Sequence, residues 1–347
     1  MKRRQFTTAT AVGTIAAATA LPDPASASAS ASTTRIGMAD TQRLEAAFQQ
    51  IATADQTRGG STALESRALG FARLALGLQK NGIASQRVRQ RLYYLAAVFT
   101  DTALWFAIDA RAPERAERHL DRALRLAGLS GSPDIQLCLW GHAAMLAVQT
   151  DNFRDALAAS EAGQASTACR QDPAYRSLAA ARLAGAQARI GDGTAARRQV
   201  DVAARAYERA EPDVPREAWA GFFDRAELEG LSGLALASLG EHEQAEAYFH
   251  RTLSHLRPEY ARNRQYYSTQ LALSQLRQGD VELACVTGSA ALAGAGHAPP
   301  NGRQRKLLDT FHRELNATAK HTGAAAAWTE RYVGERNHDG RPSAGRR

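Results

Sequence analysis

The chain has 347 residues, a formal charge of +8, 7% aromatic residues and only 11 prolines. Ala, Leu, Arg and Glu dominate, and such residues lose little entropy in a helix, so the composition fits an all-α protein and argues against a large sheet. No apolar run reaches the roughly 18–20 residues of a bilayer span, and Cys138, Cys169 and Cys285 stand too far apart for a CxxC pair or a disulfide framework.

Each cysteine sits in an Ala/Leu-rich stretch, where a buried small hydrophobe is the expected role. The positive residues are almost all Arg, and they alternate with acids along helix faces, as in "RAPERAERHLDRALRL". That pattern describes solvated helices better than a nucleic-acid stripe, so no direct nucleic-acid binding is expected from this chain alone.

The chain opens "MKRRQFTTATAVGTIAAATALPDPASASASAS". Arg3 and Arg4 with Phe6 two places on, a weakly apolar stretch of eleven residues and several A-x-A sites together read as a twin-arginine signal. A linker is the other reading, so residues 1–33 point either to export or to the cytoplasm. Three helices are predicted next, "DTQRLEAAFQQIATA", "TALESRALGFARLALGLQ" and "SQRVRQRLYYLAAVFTDTALWFAIDA", separated by the turn-rich "DQTRGG" and "KNGIA".

A repeat follows. In "GLALASLGEHEQAEAYFHRTLSHLRPE", Gly233 and Gly240 are seven apart, Ala245 comes five later, Phe249 four after that, and Pro258 closes the unit. Gly233 lets two helices approach, Gly240 takes the positive φ that ends the first, Ala245 packs at the crossing and Phe249 fills the groove to the next unit. The same Ala recurs as Ala116, Ala156, Ala196 and Ala284, at intervals of 40, 40, 49 and 39 residues with Ala245 included. The long interval holds the Pro-containing connector "RAEPDVPREAW". Near-constant spacing of about five units predicts a superhelical solenoid of antiparallel helix pairs over residues 34–320. After the break "GHAPPNG", the helix "RQRKLLDTFHRELNATA" is a suitable cap, and 321–347 reads as a basic, partly disordered tail.

These spacings resemble a divergent tetratricopeptide repeat. The run from Ala218 to Leu292, with the entry stretch Thr34 to Gly60, resembles the repeat region of actinobacterial Xre-type transcriptional regulators. Longer members of that family carry a helix-turn-helix domain ahead of this region, and before Thr34 this sequence has only the opening segment. The resemblance therefore implies the sensory or partner-binding half of a regulator.

No Walker run, GxSxG elbow, HExxH or acidic Ca-loop spacing occurs, and no cofactor is called for. His250 and His255, five apart, fall on different helix faces, so no metal site is expected. Acidic pairs such as Glu227 with Glu229 read as solvated helix faces. With the Ala positions as register, the concave face of the first helix in each pair would carry Asp101 and Trp105, His142 and Met145, Arg182 and Arg189, then Tyr266 and Arg277. An acid, aromatics and arginines along one groove suit a peptide or protein ligand. The alternatives are an exported envelope scaffold and an enzyme whose residues are spread over the groove. A homodimer stays open, since nothing in the sequence fixes the oligomeric state.

Overall fold

The computed structural model describes residues 35–293 and 302–339. Arg3, Arg4 and Phe6, the break at 294–301 and the last eight residues lie outside the described residues. The leading helices are α1 (Met38–Arg58), α2 (Thr62–Asn81) and α3 (Gln86–Asp109). The chain continues as α4 (Pro113–Ser130), α5 (Pro133–Gln149), α6 (Phe153–Gln164), a short α7 (Thr167–Gln171), α8 (Pro173–Arg189) and α9 (Gly193–Glu208). It ends with α10 (Arg225–Ser238), α11 (His242–His255), α12 (Ala261–Gln278), α13 (Val281–Ala293), α14 (Gly302–Ala319) and α15 (Gly323–Asp339).

Local chemistry sets many of these boundaries. Ser61, Ser85, Asp192 and Asp224 each accept a backbone N–H of the first turn, so the orphan donors at four helix starts are satisfied. Pro113, Pro133 and Pro173 occupy first-turn positions, where the missing N–H costs nothing.

The helices pack as neighbouring pairs, α3 with α4, α5 with α6, α8 with α9, α10 with α11 and α12 with α13. The fold is all-α, a solenoid of helix hairpins. Ala116, Ala156, Ala196, Ala245 and Ala284 all lie in the second helix of a pair, and each has 0% of its surface exposed. At the α10–α11 crossing a Cβ on Gly233 would stand 2.8 Å from the Phe249 ring, and Gly240 holds φ at +81°. Phe249 is fully buried and reaches Tyr267 of the next unit at 6.3 Å between ring centroids.

Two elements add to the sequence reading. The stretch 331–339, part of the tail expected to be partly disordered, is helical as the end of α15. Trp328 and Tyr332 of α15 are buried in one cluster with Phe311 of α14, and this apolar stack orders the helix. The connector 209–219 is more than a spacer. It leads into a 3-10 turn at Ala218–Phe222, where Trp219 donates to Asp134 at 3.1 Å and stacks on Tyr175 at 5.5 Å.

The ends of the solenoid meet. Asp55 near the end of α1 accepts from Arg262 of α12 at 2.7 Å, and Asp109 at the end of α3 accepts from Arg303 of α14 at 2.8 Å. Arg262 also lies 3.3 Å from Asp109. These largely buried ion pairs join residues more than 150 positions apart, so the inner helices surround a central cleft instead of lining an open groove.

Candidate functional site: a ring of side chains in the central cleft

Each inner helix sends a different side chain into this cleft. From α3, Asp101 and Trp105 project one helical turn apart, on one face. The Trp105 indole donates to Asp55 at 3.1 Å and lies 5.6 Å from the His142 ring of α5. His142 Nδ1 is 2.6 Å from Asp101 Oδ1, and the Cys138 thiol donates to Asp101 Oδ2 at 3.3 Å. Cys138 thus has a polar partner, unlike the small hydrophobe the sequence suggests.

Arg182 of α8 comes next. A Cβ at position 141 would collide with its guanidinium, so Gly141 is what lets this side chain lie against α5. Cys138, Glu227 and Asp101 act on it through space, and no hydrogen bond or ion pair holds it among the described residues. Its Nη1 is buried without any partner. Phe222 offers only a ring face, 5.8 Å away. Burial therefore lowers the pKa of Arg182, which is the direction expected for a cation short of compensation.

Glu227 of α10 accepts from the Tyr267 hydroxyl of α12 at 3.0 Å. Gly230 makes room for that ring, which would collide with any Cβ there. Burial is the main cause that pushes the Glu227 carboxyl up to about 7; Tyr267, Arg182 and Arg303 oppose it without cancelling it. Glu227 nevertheless keeps some water-accessible surface.

The ring closes through aromatics and Arg303. Tyr266 packs edge-on to Tyr267 at 5.4 Å, and the Arg303 guanidinium lies 5.8 Å from Tyr266 and 4.4 Å from Trp105. Burial works against the charge on Arg303, but neighbouring Asp109 raises its pKa overall.

Of the residues expected from sequence, Asp101, Trp105, His142, Arg182 and Tyr266 come together here. Arg189 sits two turns further along α8, exposed, with its guanidinium 6.0 Å from Phe153. Arg277 lies at the far end of α12, paired to Glu314 of α14 at 2.8 Å. Glu227 and Arg303 are the members that sequence reasoning missed. The expected Glu227–Glu229 solvated face is corrected too. Glu229 is buried between Arg225 and Arg251, each at 2.9 Å, while Glu227 points to the cleft.

As acid–base machinery the arrangement is poor. The thiol's partner is a carboxylate and not the imidazole, and burial beside Asp101 holds Cys138 protonated. A separate surface cavity of about 240 Å³ lies between α8, α9 and the connector, lined by Tyr175, Tyr207 and Arg216. Its arginine, Arg216, is already paired, with Asp172 at 2.6 Å.

No family model matches the chain, and no curated protein matches it. Among solved structures it overlaps NprR in complex with its cognate peptide NprX, at 13% identity and a TM-score of 0.30, over 89% of this chain and 95% of that one. So loose an overlap does not carry the peptide of that complex over to this chain. No described helix is long and apolar enough to cross a membrane.

Proposed function

We propose that this chain is a non-enzymatic helical-repeat protein that captures a peptide or protein segment in its central cleft. It would act as the sensory half of a regulator of the Xre type that its repeat region resembles. The observation that supports this most is Arg182. A guanidinium largely enclosed in protein, with no ion pair or hydrogen bond of its own, is costly unless an anionic partner arrives, and a carboxylate of the ligand supplies one. Elsewhere in the ring, Trp105 and Tyr266 give apolar and π surface, with Arg303 near both.

The test compares wild type with Arg182→Ala and Trp105→Ala. Each is used to capture peptides from a lysate of the source organism, with mass spectrometry of what is retained. A defined peptide held by wild type and lost from both variants, at unchanged helicity and melting, supports the reading. Equal capture by all three removes it.

A further inference from the structure

We propose that Asp101, Cys138 and His142 form a binding site for a divalent transition metal of the zinc class, set in the wall of the cleft. Cys138 and His142 are four residues apart on α5, so one helix face presents sulfur and nitrogen together, and Asp101 meets them from α3. Ligand atoms of the three lie within 4.8 Å of one another, and all three residues are buried. Thiolate, imidazole and carboxylate are the donor set that a borderline-soft ion takes in preference to calcium or magnesium.

Both α5 side chains already bond the Asp101 carboxylate. His142 Nδ1 addresses one carboxylate oxygen at 2.6 Å and Cys138 Sγ the other at 3.3 Å. Around a tetrahedral zinc, bonds of about 2.0–2.3 Å set donor atoms roughly 3.3–3.6 Å apart. With Oδ2 of Asp101 as the single carboxylate donor, the sulfur–oxygen edge is nearly in place. Nδ1 instead meets the other oxygen, Oδ1, so that hydrogen bond is given up as the imidazole turns to the ion. On binding, Cys138 gives up its S–H proton to solvent, and the imidazole proton moves from Nδ1 to Nε2, leaving Nδ1 free to ligate. The ion supplies two positive charges against one thiolate and one carboxylate, so the site becomes neutral. Trp105 beside the imidazole fixes the ring. Three protein ligands leave a fourth position for water or for a donor atom of whatever enters the cleft.

The experiment uses untagged full-length protein treated with a chelator and then titrated with Co²⁺. One equivalent is expected to give the intense near-ultraviolet thiolate-to-cobalt band together with the visible bands of a four-coordinate ion, and Zn²⁺ should erase both. The double variant Cys169→Ser, Cys285→Ser keeps Cys138 as the sole cysteine and should keep the signal. Cys138→Ser and His142→Gln should lose it. No thiolate band in wild type at saturating Co²⁺, or a band that disappears in the double variant, overturns the site. The trio is then a hydrogen-bonded triad only.

Discussion

The outer and inner helices of each hairpin follow the same spacing and opposite rules. On the outer helices α4, α6, α9, α11 and α13, the same small residue recurs at the same place, and all five copies are wholly buried. On the inner helices α3, α5, α8, α10 and α12, the residues reaching the cleft are Asp101 and Trp105, His142, Arg182, Glu227 and Tyr266, with little in common. Repetition fixes how closely neighbouring helices stack, and that demand is identical in every unit. The cleft has no such demand. Each unit is free to contribute its own chemistry, so the site is built from what the repeat leaves unconstrained.

Breaking the outer rule should have the largest effect. Phe249→Ala removes a fully buried ring from the α10–α11 seam and should cost about 3–5 kcal/mol in denaturant unfolding. A loss below about 1 kcal/mol would mean that the seam collapses around the gap, and that the repeat spacing matters less than its periodicity suggests. Breaking the closure comes next. Arg262→Met leaves Asp55 without its cation and takes one of the two arginines from Asp109, which should cost about 3 kcal/mol. Because α6 and α9 pack on α5, α8 and α10 and not on the closure, hydrogen exchange should speed up at the end of α1 and the start of α12 and stay unchanged through α6 and α9. Uniform loss of protection would show that the whole solenoid unfolds as one unit.

Glu227 sharpens the inner side of the comparison through pH. Its folded-state pKa of about 7 lies above the ordinary carboxylate value of 4.5, so the folded chain holds this proton more tightly than the unfolded one. The group therefore does not penalise folding below about pH 4.5, and it withdraws stability as pH rises towards 7. Glu227→Gln keeps an acceptor for Tyr267 and removes the ionisation. The variant should match wild type near pH 4 and exceed it by about 1–3 kcal/mol at pH 8. Thermal melts across that range check it, and parallel profiles for the two proteins would overturn the enclosed position of this carboxyl.

How much of this was legible in the sequence follows from the same contrast. The seams were readable because Ala116 through Ala284 repeat at a near-constant interval, and the register they set placed Asp101, Trp105, His142, Arg182 and Tyr266 on the inner face. Arg189 shares that face with Arg182, but seven residues carry it about 10 Å along the helix, beyond the ring. Glu227 was lost in an apparent acidic pair, although two residues turn a helix by about 200° and so send Glu227 and Glu229 to opposite sides. Cys138 and His142 showed their spacing in plain view, whereas their meeting with Asp101 required the α3–α5 contact. Arg303 and the ion pairs of Asp55 and Asp109 left no local signal, since the closure that unites them is a property of the accumulated superhelical turn. The order of α15 was hard to read because charge on its exposed faces hid the Trp328 and Tyr332 stripe beneath.

Arg182 gives the smallest change in stability and the most direct test of what the cleft is for. An enclosed cation with an unpartnered Nη1 weakens the fold that carries it, so replacing it by an apolar chain of similar length should not be harmful. Arg182→Met should leave stability unchanged or raise it by about 1 kcal/mol, while capture of the ligand is lost. Stability and binding then move in opposite directions at a single side chain, a result that a purely structural arginine cannot produce. If Arg182→Met instead melts several degrees lower and still captures the wild-type ligand, the guanidinium is a packing element of the α5–α8 contact, and the anionic partner must be sought at Arg303.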